Sequence, residues 1–479
     1  MFDLTSPKPT SLRAAAPALL ALSLAMLVEM VDNSVLNVAL PTIGRDLDTG
    51  PSGLQWIVSA YSLTFGGLLL VGGSLGDRLG RRRALLWGLL GFAATGALVL
   101  IVHSTAALIV LRAASGAFAA LMAPGTMSLL FRLFDDDKLR ARAISLIVVV
   151  AMAGFAVGPV LSGLAITHVP WQVLLVVNAP VGLIAWLGVR LGIPVDDPAE
   201  LRGGGADVPG AMLSVTTIAL GIYAFTLAVD DGWTAVSTLA CAAGAIVGGI
   251  CFVLRETRTP EPMLDLDLFR HPTVRGSALL QTTSMLAMVG VVFASTQLFQ
   301  FAWGWSPLRA GLATLPLVAG MLFAAPLVEA LVHRVGHRRG AALGSGVLVA
   351  ALVLLAATLQ AGYLPVGVAM VAVAGSMRLV MVTCAVALLD ALPDDHTSIG
   401  SALNDTAQEL GSTVGVAVVG TIVAALVGTV LPTGSWPSAF TADFTHALRA
   451  AFVVLASITL AVATVGVRTL TDATTVDEH

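Results

Sequence analysis

Carboxylates lie inside long apolar stretches of this chain, where an ionised side chain is expensive. Glu29 and Asp32 stand three residues apart in the first such stretch, so they share one face of a helix. Two neighbouring carboxylates in a medium of low dielectric cannot both ionise cheaply. One of the two is therefore a candidate proton carrier. A second pair, Asp405 and Glu409, stands four residues apart near the C-terminus and also shares one face.

Three arginines, Arg112, Arg378 and Arg449, also fall within apolar stretches. Arg112 cannot lose its charge, so it either pairs with an acid for structural reasons or holds the Asp32 carboxylate ionised until a proton or substrate displaces it. Arg378 either neutralises Glu409 or Asp405, or binds an anionic group. The second alternative for Arg378 argues against a simple exporter of cations.

The composition excludes most functional classes. Only 11% of the 479 residues are charged, whereas a soluble domain carries about 25%. The chain shows no set of nucleophile and base, no metal-binding histidine spacing and no soluble domain that could serve a sensor. We therefore expect an all-α integral membrane protein that is not an enzyme, binds no metal or nucleic acid, and uses no cofactor besides protons as the coupling ion.

Apolar runs of about 20 residues can cross a bilayer as helices. The breaks between them predict fourteen spans, near 17–40, 54–73, 84–102, 106–130, 141–166, 171–192, 209–229, 235–255, 275–298, 307–332, 341–359, 365–390, 399–430 and 445–468. Most of the 25 lysines and arginines then fall at loops or helix ends on the side of the N-terminus. Since cytoplasmic loops collect Lys and Arg, both termini are predicted to be cytoplasmic.

An internal repeat divides the chain. The segment 331–339 echoes the loop 72–83, with His333 in place of Asp77. We predict a six-helix bundle at 1–192, a cytoplasmic linker at 193–208 and an inserted helix pair at 209–255. A second cytoplasmic linker at 256–274, a second six-helix bundle at 275–468 and a cytoplasmic tail at 469–479 follow. Transporters built from repeats bind substrate between the repeats near the midplane.

Several motifs carry a resemblance to a known family. The loop reads Gly73-x-Leu-x-Asp-Arg-x-Gly-Arg-Arg-Arg83, helix 1 contains Val31-Asp-Asn-Ser-Val-Leu-Asn-Val-Ala-Leu-Pro41, and helix 5 contains Gly154-x-x-x-Gly-Pro-x-x-Ser-Gly163. Together with Arg112–Gly116 and Gly400–Gly411, these segments resemble the fourteen-helix drug:proton antiporter family of the major facilitator superfamily, which contains the quaternary-ammonium exporters. Ser162 departs from this pattern, because the family usually has glycine there.

The resemblance implies a fold of two six-helix bundles plus two extra helices, and a proton-coupled exporter of amphipathic, cationic drugs. The alternative is an exporter of an endogenous metabolite, such as a self-made antibiotic, an anionic peptide or a lipid. The expected location is a bacterial plasma membrane, because the scarcity of lysine, with only Lys8 and Lys138, suggests a GC-rich bacterial genome. The expected partners are the substrate and membrane lipid, with the protein a monomer.

The candidate site residues fall into three groups. Proton coupling is assigned to Asp32, Glu29, Arg112 and Glu409. Substrate binding is assigned to Asp32, Asn404, Asp405, Glu409 and Arg378. Conformational change is assigned to the loop motif, at Gly73, Asp77, Arg78, Gly80 and Arg81. It is also assigned to the segment of helix 5 that resembles the antiporter motif of the family, at Gly154, Gly158, Pro159 and Gly163.

Overall fold

The apolar stretches form helices, as they must where the bilayer offers backbone groups no hydrogen-bond partners. The computed structural model describes residues 11–134, 136–196, 207–259, 270–391, 397–428 and 436–470. Its α-helices are α1 Ala16–Asp46, α2 Pro51–Leu79, α3 Arg81–Leu98, α4 Thr105–Leu133, α5 Asp137–Ala165, α6 Trp171–Val176, α7 Asn178–Gly192, α8 Val208–Asp230, α9 Val236–Glu256, α10 Pro272–Gln297, α11 Pro307–Ala313, α12 Leu315–Phe323, α13 Ala325–Thr358, α14 Tyr363–Ala391, α15 Thr397–Val427 and α16 Ser438–Thr469. A π-helical turn, Leu298–Ala302, extends α10.

Twelve helical stretches in the described parts of the chain are long and apolar enough to cross a membrane. Helices α2 and α5 are not among the twelve, although each has 29 residues. At 1.5 Å per residue such a helix is about 43 Å long, which exceeds the hydrocarbon thickness. The all-helical membrane architecture is thus confirmed, and the number fourteen stays a prediction.

The repeat seen in the sequence has a backbone counterpart. Gly80 separates α2 from α3 with φ of 103°, and Gly336 interrupts α13 with φ of 78°. The two glycines occupy equivalent places in the loop and its echo. A left-handed φ is open to glycine but strained for other residues, so both halves turn their chain by the same device.

Among the described residues, the two halves form hydrogen bonds with each other at one end of the molecule, which we call the contact end, and α2 and α15 continue in contact from there toward the middle. The opposite end, which carries Arg78–Arg83, is the loop end. Gln300 Nε2 donates to the Val38 carbonyl at 2.8 Å, and Thr421 Oγ1 donates to Gln55 Oε1 at 3.2 Å. The larger apolar core lies at the same end and draws side chains from both halves.

The inserted pair α8–α9 packs beside α2. Val215 of α8 lies against Gly67, where a Cβ would find no room, and Tyr223 meets Trp56 with ring centroids 6.2 Å apart. Helix α9 exposes most of its apolar side chains. The pair therefore extends the bundle sideways and leaves its centre to the two halves.

Candidate functional site

The strongest polar contact in the centre of the first half joins α1 to α4. Arg112 Nη1 lies 2.5 Å from Asp32 Oδ2, and the two side chains are only 3% and 2% exposed. Asn178 of α7 donates from Nδ2 to the other carboxylate oxygen of Asp32. Both oxygens of Asp32 thus have a donor. Three helices thus hold this buried carboxylate, with the Arg112 guanidinium as its countercharge.

Tyr61 of α2 covers the cation of this pair. The Arg112 Cζ atom lies 4.5 Å from the centroid of the Tyr61 ring, within the range of a cation–π contact. The tyrosine is 1% exposed, and its hydroxyl lies within electrostatic range of Glu29, Asp32 and Glu409. The candidate residues of α1, α4 and α15 therefore converge on one aromatic side chain.

Glu29 lies beside Asp32 as the three-residue spacing predicts. It is buried, with 4% of its side chain exposed, in the middle part of α1. Its backbone carbonyl accepts from Asn33 Nδ2 at 3.3 Å. The structure thus places two acids and one arginine in the same buried region, and its acids outnumber its fixed cation.

Glu409 approaches this region from the second half. It is half-buried on α15, and its Cβ lies so close to α2 that a Cβ on Gly66 would come within 2.5 Å of it. One turn further along α15, Ser412 Oγ lies 3.2 Å from Ser62 Oγ of α2. Glu409 therefore sits at the seam between the halves. The side chains of Asn404 and Asp405, assigned to substrate binding, lie outside the described residues.

Arg378 of α14 is half-buried, and its Nε atom has no hydrogen-bond partner in the described part of the chain. A pairing of Arg378 with Glu409 or Asp405 stays a prediction. A buried donor without a partner costs about 1–3 kcal/mol, so this position is suited to an acceptor brought in by a ligand or by water.

The antiporter motif packs α5 against α1. A Cβ on Gly158 would collide with the Ser34 side chain, and a Cβ on Gly154 would meet Leu27 Cδ1 at 2.6 Å. Ser162, the departure from the family pattern, is fully buried and donates to the Val35 carbonyl at 3.0 Å. Its hydroxyl thus adds an interhelical hydrogen bond of the kind that joins membrane helices.

The last residues of the same motif reach across to the second half. A Cβ on Gly163 would lie 2.5 Å from the Leu308 Cα of α11, and the Pro159 carbonyl faces Gly311 of the same helix. At both glycines the two backbones lie so close together that only a hydrogen atom fits in place of a side chain. The motif thus contributes to the contact between halves at the contact end.

The loop motif is held by a residue that sequence reasoning left in a linker. Asp196 accepts from the backbone N–H of Arg82 and of Arg83 at 3.1–3.3 Å, and so caps the start of α3. Gly80 borders this carboxylate, and Arg132 Nη1 lies 3.9 Å from it. The side chain of Asp77, a residue assigned to conformational change, lies outside the described residues.

The remaining loop residues pack locally. Arg78 Nε donates to Ser74 Oγ at 3.1 Å. Gly73 faces Pro124 of α4, and the Arg81 carbonyl lies near Gly125 of the same helix. Gly73 and Arg81 therefore help to dock α2 and α3 on α4.

Sequence reasoning missed Asn178, Tyr61 and Asp196. A signal existed for Asn178, which is an amide within the apolar run 171–192, where polar groups are expensive. The chain has only three tyrosines, yet nothing local marks Tyr61 as the neighbour of an arginine 51 positions away. Asp196 follows a proline in a polar stretch that is typical of a linker.

Comparison with known proteins identifies the sequence as a transporter. Residues 22–299 match the model of the Major Facilitator Superfamily, and residues 263–471 match that of MFS/sugar transport protein. The chain is 35% identical over 424 residues to the Multidrug efflux pump LfrA of Mycolicibacterium smegmatis, covering 85% of this chain and 81% of the relative. It is 32% identical over 419 residues to the Tetracenomycin C resistance and export protein of Streptomyces glaucescens, covering 87% and 77%.

Solved structures share the fold. A bacterial homologue of the human lysosomal transporter Spinster, in an inward-facing and unoccupied conformation, aligns with a TM-score of 0.69 at 15% identity, covering 97% of this chain and 98% of the other. The human organic anion transporter MFSD10 aligns with a TM-score of 0.60 at 16% identity, covering 96% and 100%. At such identities the likeness concerns the fold alone.

Proposed function

The chain belongs to the Major Facilitator Superfamily of multi-pass membrane transporters, and from this membership we propose that it is a proton-coupled antiporter. It exports amphipathic, cationic drugs or antiseptics from bacteria by alternating access. Its fourteen spans comprise the twelve apolar stretches together with α2 and α5. Both termini and the loop end lie in the cytoplasm. The protein resides in the bacterial plasma membrane as a monomer.

One observation carries the proposal: a buried Asp32–Arg112 pair lies beside a second acid, Glu29, at the centre of a transporter. A charge in hydrocarbon costs at least about 2.5 kcal/mol, so a purely structural core would be cheaper with apolar side chains. A carboxylate whose cation partner can be released is suited to exchange protons for cationic substrates. Glu409, at the seam, supplies a further negative charge.

The contacts between the halves support an inward-facing state within the proposed cycle. With the loop end in the cytoplasm, the contact end faces outward and is sealed by Gln300–Val38, by Gln55–Thr421 and by the α5–α11 approach. In this arrangement the buried acids are reached from the cytoplasm. In this state a proton leaves the acids, Arg112 closes on Asp32, and a cationic drug binds near Glu409.

The energetics fit such an exchange. Each pH unit across the membrane supplies about 1.36 kcal/mol per proton, and each charge moved across 100 mV about 2.3 kcal/mol. One proton exchanged for one monovalent cation moves no net charge and uses the pH gradient alone. A second titrating acid, Glu29 or Glu409, would let the exporter use the voltage as well.

The test is transport by the purified protein in vesicles. Ethidium, a permanent cation, is loaded on one side, and a pH gradient is imposed or collapsed with an ionophore. We expect gradient-driven ethidium transport that falls at least about tenfold in Asp32→Asn and in Glu409→Gln. Full, pH-dependent transport by both variants would refute the site assignment, and wild-type transport indifferent to the gradient would refute proton coupling.

A second candidate function is export of a self-made antibiotic or another endogenous metabolite. The relative from Streptomyces glaucescens is named as a resistance and export protein for tetracenomycin C. Arg378 Nε, which has no hydrogen-bond partner among the described residues, is suited to bind an anionic or carbonyl group. We expect Arg378→Gln to weaken transport of anionic substrates and to spare ethidium. Equal losses of ethidium transport and of anionic-substrate transport in Arg378→Gln would refute this second candidate function.

A further inference from the structure

Tyr61 is held in place by backbone contacts rather than by its own polar group. Gly116 of α4 lets that helix approach the Tyr61 carbonyl so closely that no Cβ would fit. One turn on, Thr64 Oγ1 donates to the Ala113 carbonyl at 2.7 Å. The Phe65 ring stacks on the Tyr61 ring with centroids 5.8 Å apart. The α2–α4 packing therefore aims the phenol into the region of the Asp32–Arg112 pair.

The hydroxyl of this phenol is buried, and it has no hydrogen-bond partner in the described part of the chain. An unsatisfied buried hydroxyl costs free energy that phenylalanine would avoid. Charged groups face it from three elements: Glu29 and Asp32 from α1, Arg112 from α4 and Glu409 from α15. A tyrosine at this place is explained if its hydroxyl finds a partner in another state of the cycle.

The missing partner belongs to the half that moves. Glu29, Asp32 and Arg112 lie in the same half as Tyr61, so a rigid-body motion of the halves leaves their distances to the phenol nearly unchanged. Glu409 lies in the other half, against Gly66 of α2. When the α2–α15 seam rearranges, Glu409 is the acid whose distance to Tyr61 changes.

We propose that Tyr61 is a positioning residue for proton coupling, whose ring retains Arg112 when Asp32 is neutralised and whose hydroxyl donates to Glu409 once the halves rearrange. This inference rests on the proposed antiport. A proton on Asp32 removes the countercharge of Arg112, and the released guanidinium then settles more closely on the ring face, so the ring stabilises Arg112 more when Asp32 is neutral. The ring thus makes protonation of Asp32 easier, and the hydroxyl passes the change to the second half.

Three variants separate the two roles in vesicles, with ethidium as the probe. Tyr61→Phe keeps the ring and loses the hydroxyl, and Tyr61→Leu loses both. The control Phe65→Leu removes the neighbouring ring, which has no hydroxyl and stacks on Tyr61. For each we measure the pH of half-maximal transport, and the ratio of gradient-driven efflux to ethidium exchange without a gradient.

We expect Tyr61→Leu to shift the half-maximal pH downward by about 0.5–1 unit, with Tyr61→Phe and Phe65→Leu close to wild type in that value. We expect Tyr61→Phe to lower the efflux-to-exchange ratio about fivefold and to add no further loss in a Glu409→Gln background, because the two groups act as a pair. Exchange itself should persist, which shows that the variant is folded.

The results that overturn the inference are distinct from those that overturn antiport. A wild-type protein with pH-dependent efflux, and Tyr61→Phe with an unchanged efflux-to-exchange ratio, would refute the role of Tyr61 alone. A Tyr61→Phe loss that adds fully to that of Glu409→Gln would refute the pairing. Wild-type transport without pH dependence would refute both proposals together. If Tyr61→Leu does not fold, Tyr61→Phe and the double variant still decide.

Discussion

The contacts inside the first half differ in kind from those between the halves. Within the half, Asp32 is bound by the Arg112 guanidinium and by the Asn178 amide. Among the described residues, the hydrogen bonds Gln300–Val38 and Ser62–Ser412 between the halves join neutral groups. Breaking a buried ion pair by removing one partner costs about 3–5 kcal/mol, whereas a neutral hydrogen bond contributes about 1 kcal/mol.

This difference fits the proposed alternating access, in which the halves separate in every transport cycle. Strong ion pairs across the seam would stabilise the closed state too much, because each opening would have to break a buried ion pair. When the halves open, close backbone contacts at glycine simply separate, and neutral hydrogen bonds are replaced by hydrogen bonds to water at little net cost in free energy. The Asp32–Arg112 ion pair thus lies inside one half, where the geometry stays constant, whereas the hydrogen bonds described between the halves are weak.

Arg112→Gln should show the largest effect, because it leaves Asp32 as a buried carboxylate without its cation. We expect thermal stability in detergent to fall by about 3–5 kcal/mol and ethidium transport to be lost. The matched control is Arg449→Gln, since Arg449 is also partly buried in a spanning helix but donates from Nε to the Ala356 carbonyl. Equal destabilisation by both changes would contradict the contrast drawn above.

A double variant sharpens the same point. Asp32→Leu combined with Arg112→Leu removes both charges, and apolar replacement of a whole buried pair is often neutral or stabilising. We expect stability to recover toward wild type while proton-driven transport stays lost. Recovery of transport together with stability would mean that the pair serves structure only.

Gly163→Ala tests the surface between the halves. The added methyl group would lie 2.5 Å from the Leu308 Cα, so backbone would have to move. We expect the contact end to open, seen as a longer distance between spin labels on α5 and α11, with transport about tenfold lower. Gly154→Ala, in the same helix, meets the flexible end of Leu27 within the half, and should leave the label distance unchanged. A wild-type distance in Gly163→Ala would show that this approach does not seal the end.

Gln300→Ala removes one neutral hydrogen bond between the halves and should have a smaller effect. A loss of about 1 kcal/mol corresponds to a shift of about fivefold in the ratio of the two states. The control is Gln281→Ala on α10, because Gln281 Nε2 donates to the Met381 carbonyl within the second half. The measurement is the same label distance distribution, and an equal shift for both variants would rule out a specific role for the seam.

Much of the fold was predictable because the bilayer imposes length and apolarity on each segment. The spans, the repeat and the close packing of Gly154 and Gly158 follow from composition and spacing, and the structure shows helices at each predicted span. Short interruptions were not predictable: the span predicted at 307–332 contains α11, α12 and the start of α13. Pro316 and Pro326, in the first turns of α12 and α13, are tolerated where the N–H is unpaired anyway, so they mark the new helix starts.

The site was predictable only in its charged members. Intramembrane charges such as Asp32 and Arg112 stand out in any apolar run, and their pairing could be anticipated. The contact of Asp32 with Asn178 could not, since the two lie 146 residues apart, and neither could the capping of Arg82 by Asp196, which lies 114 residues away. Tertiary packing alone brings such residues together. The roles assigned to Glu409, Asn404 and Asp405 stay predictions that the transport experiments address.

The smallest expected effect concerns the inserted pair, which belongs to neither half. Asp207, at the start of α8, accepts from Arg255 Nε at 2.7 Å and from the Gly210 N–H at 2.9 Å. Burial alone would raise the pKa of this carboxyl, but the hydrogen bonds from Arg255 and Gly210 outweigh it and lower the pKa below its usual range. Because the pKa of Asp207 is lower in the folded than in the unfolded state, its carboxylate stabilises the fold at pH values above its unfolded pKa of about 3.9. This contribution disappears as the pH falls through the folded pKa.

Asp207→Asn should therefore lower thermal stability at pH 7 by less than about 1 kcal/mol, because the partner Arg255 is partly exposed to solvent. The difference from wild type should shrink below about pH 4, where the wild-type carboxyl takes up a proton as well. Arg255→Gln should reproduce the neutral-pH effect, and the double variant should add nothing to it, because both changes break one contact. Melting curves at the two pH values measure this. A difference that persists in acid, or losses that add in the double variant, would mean that the two side chains stabilise α8 and α9 independently of each other.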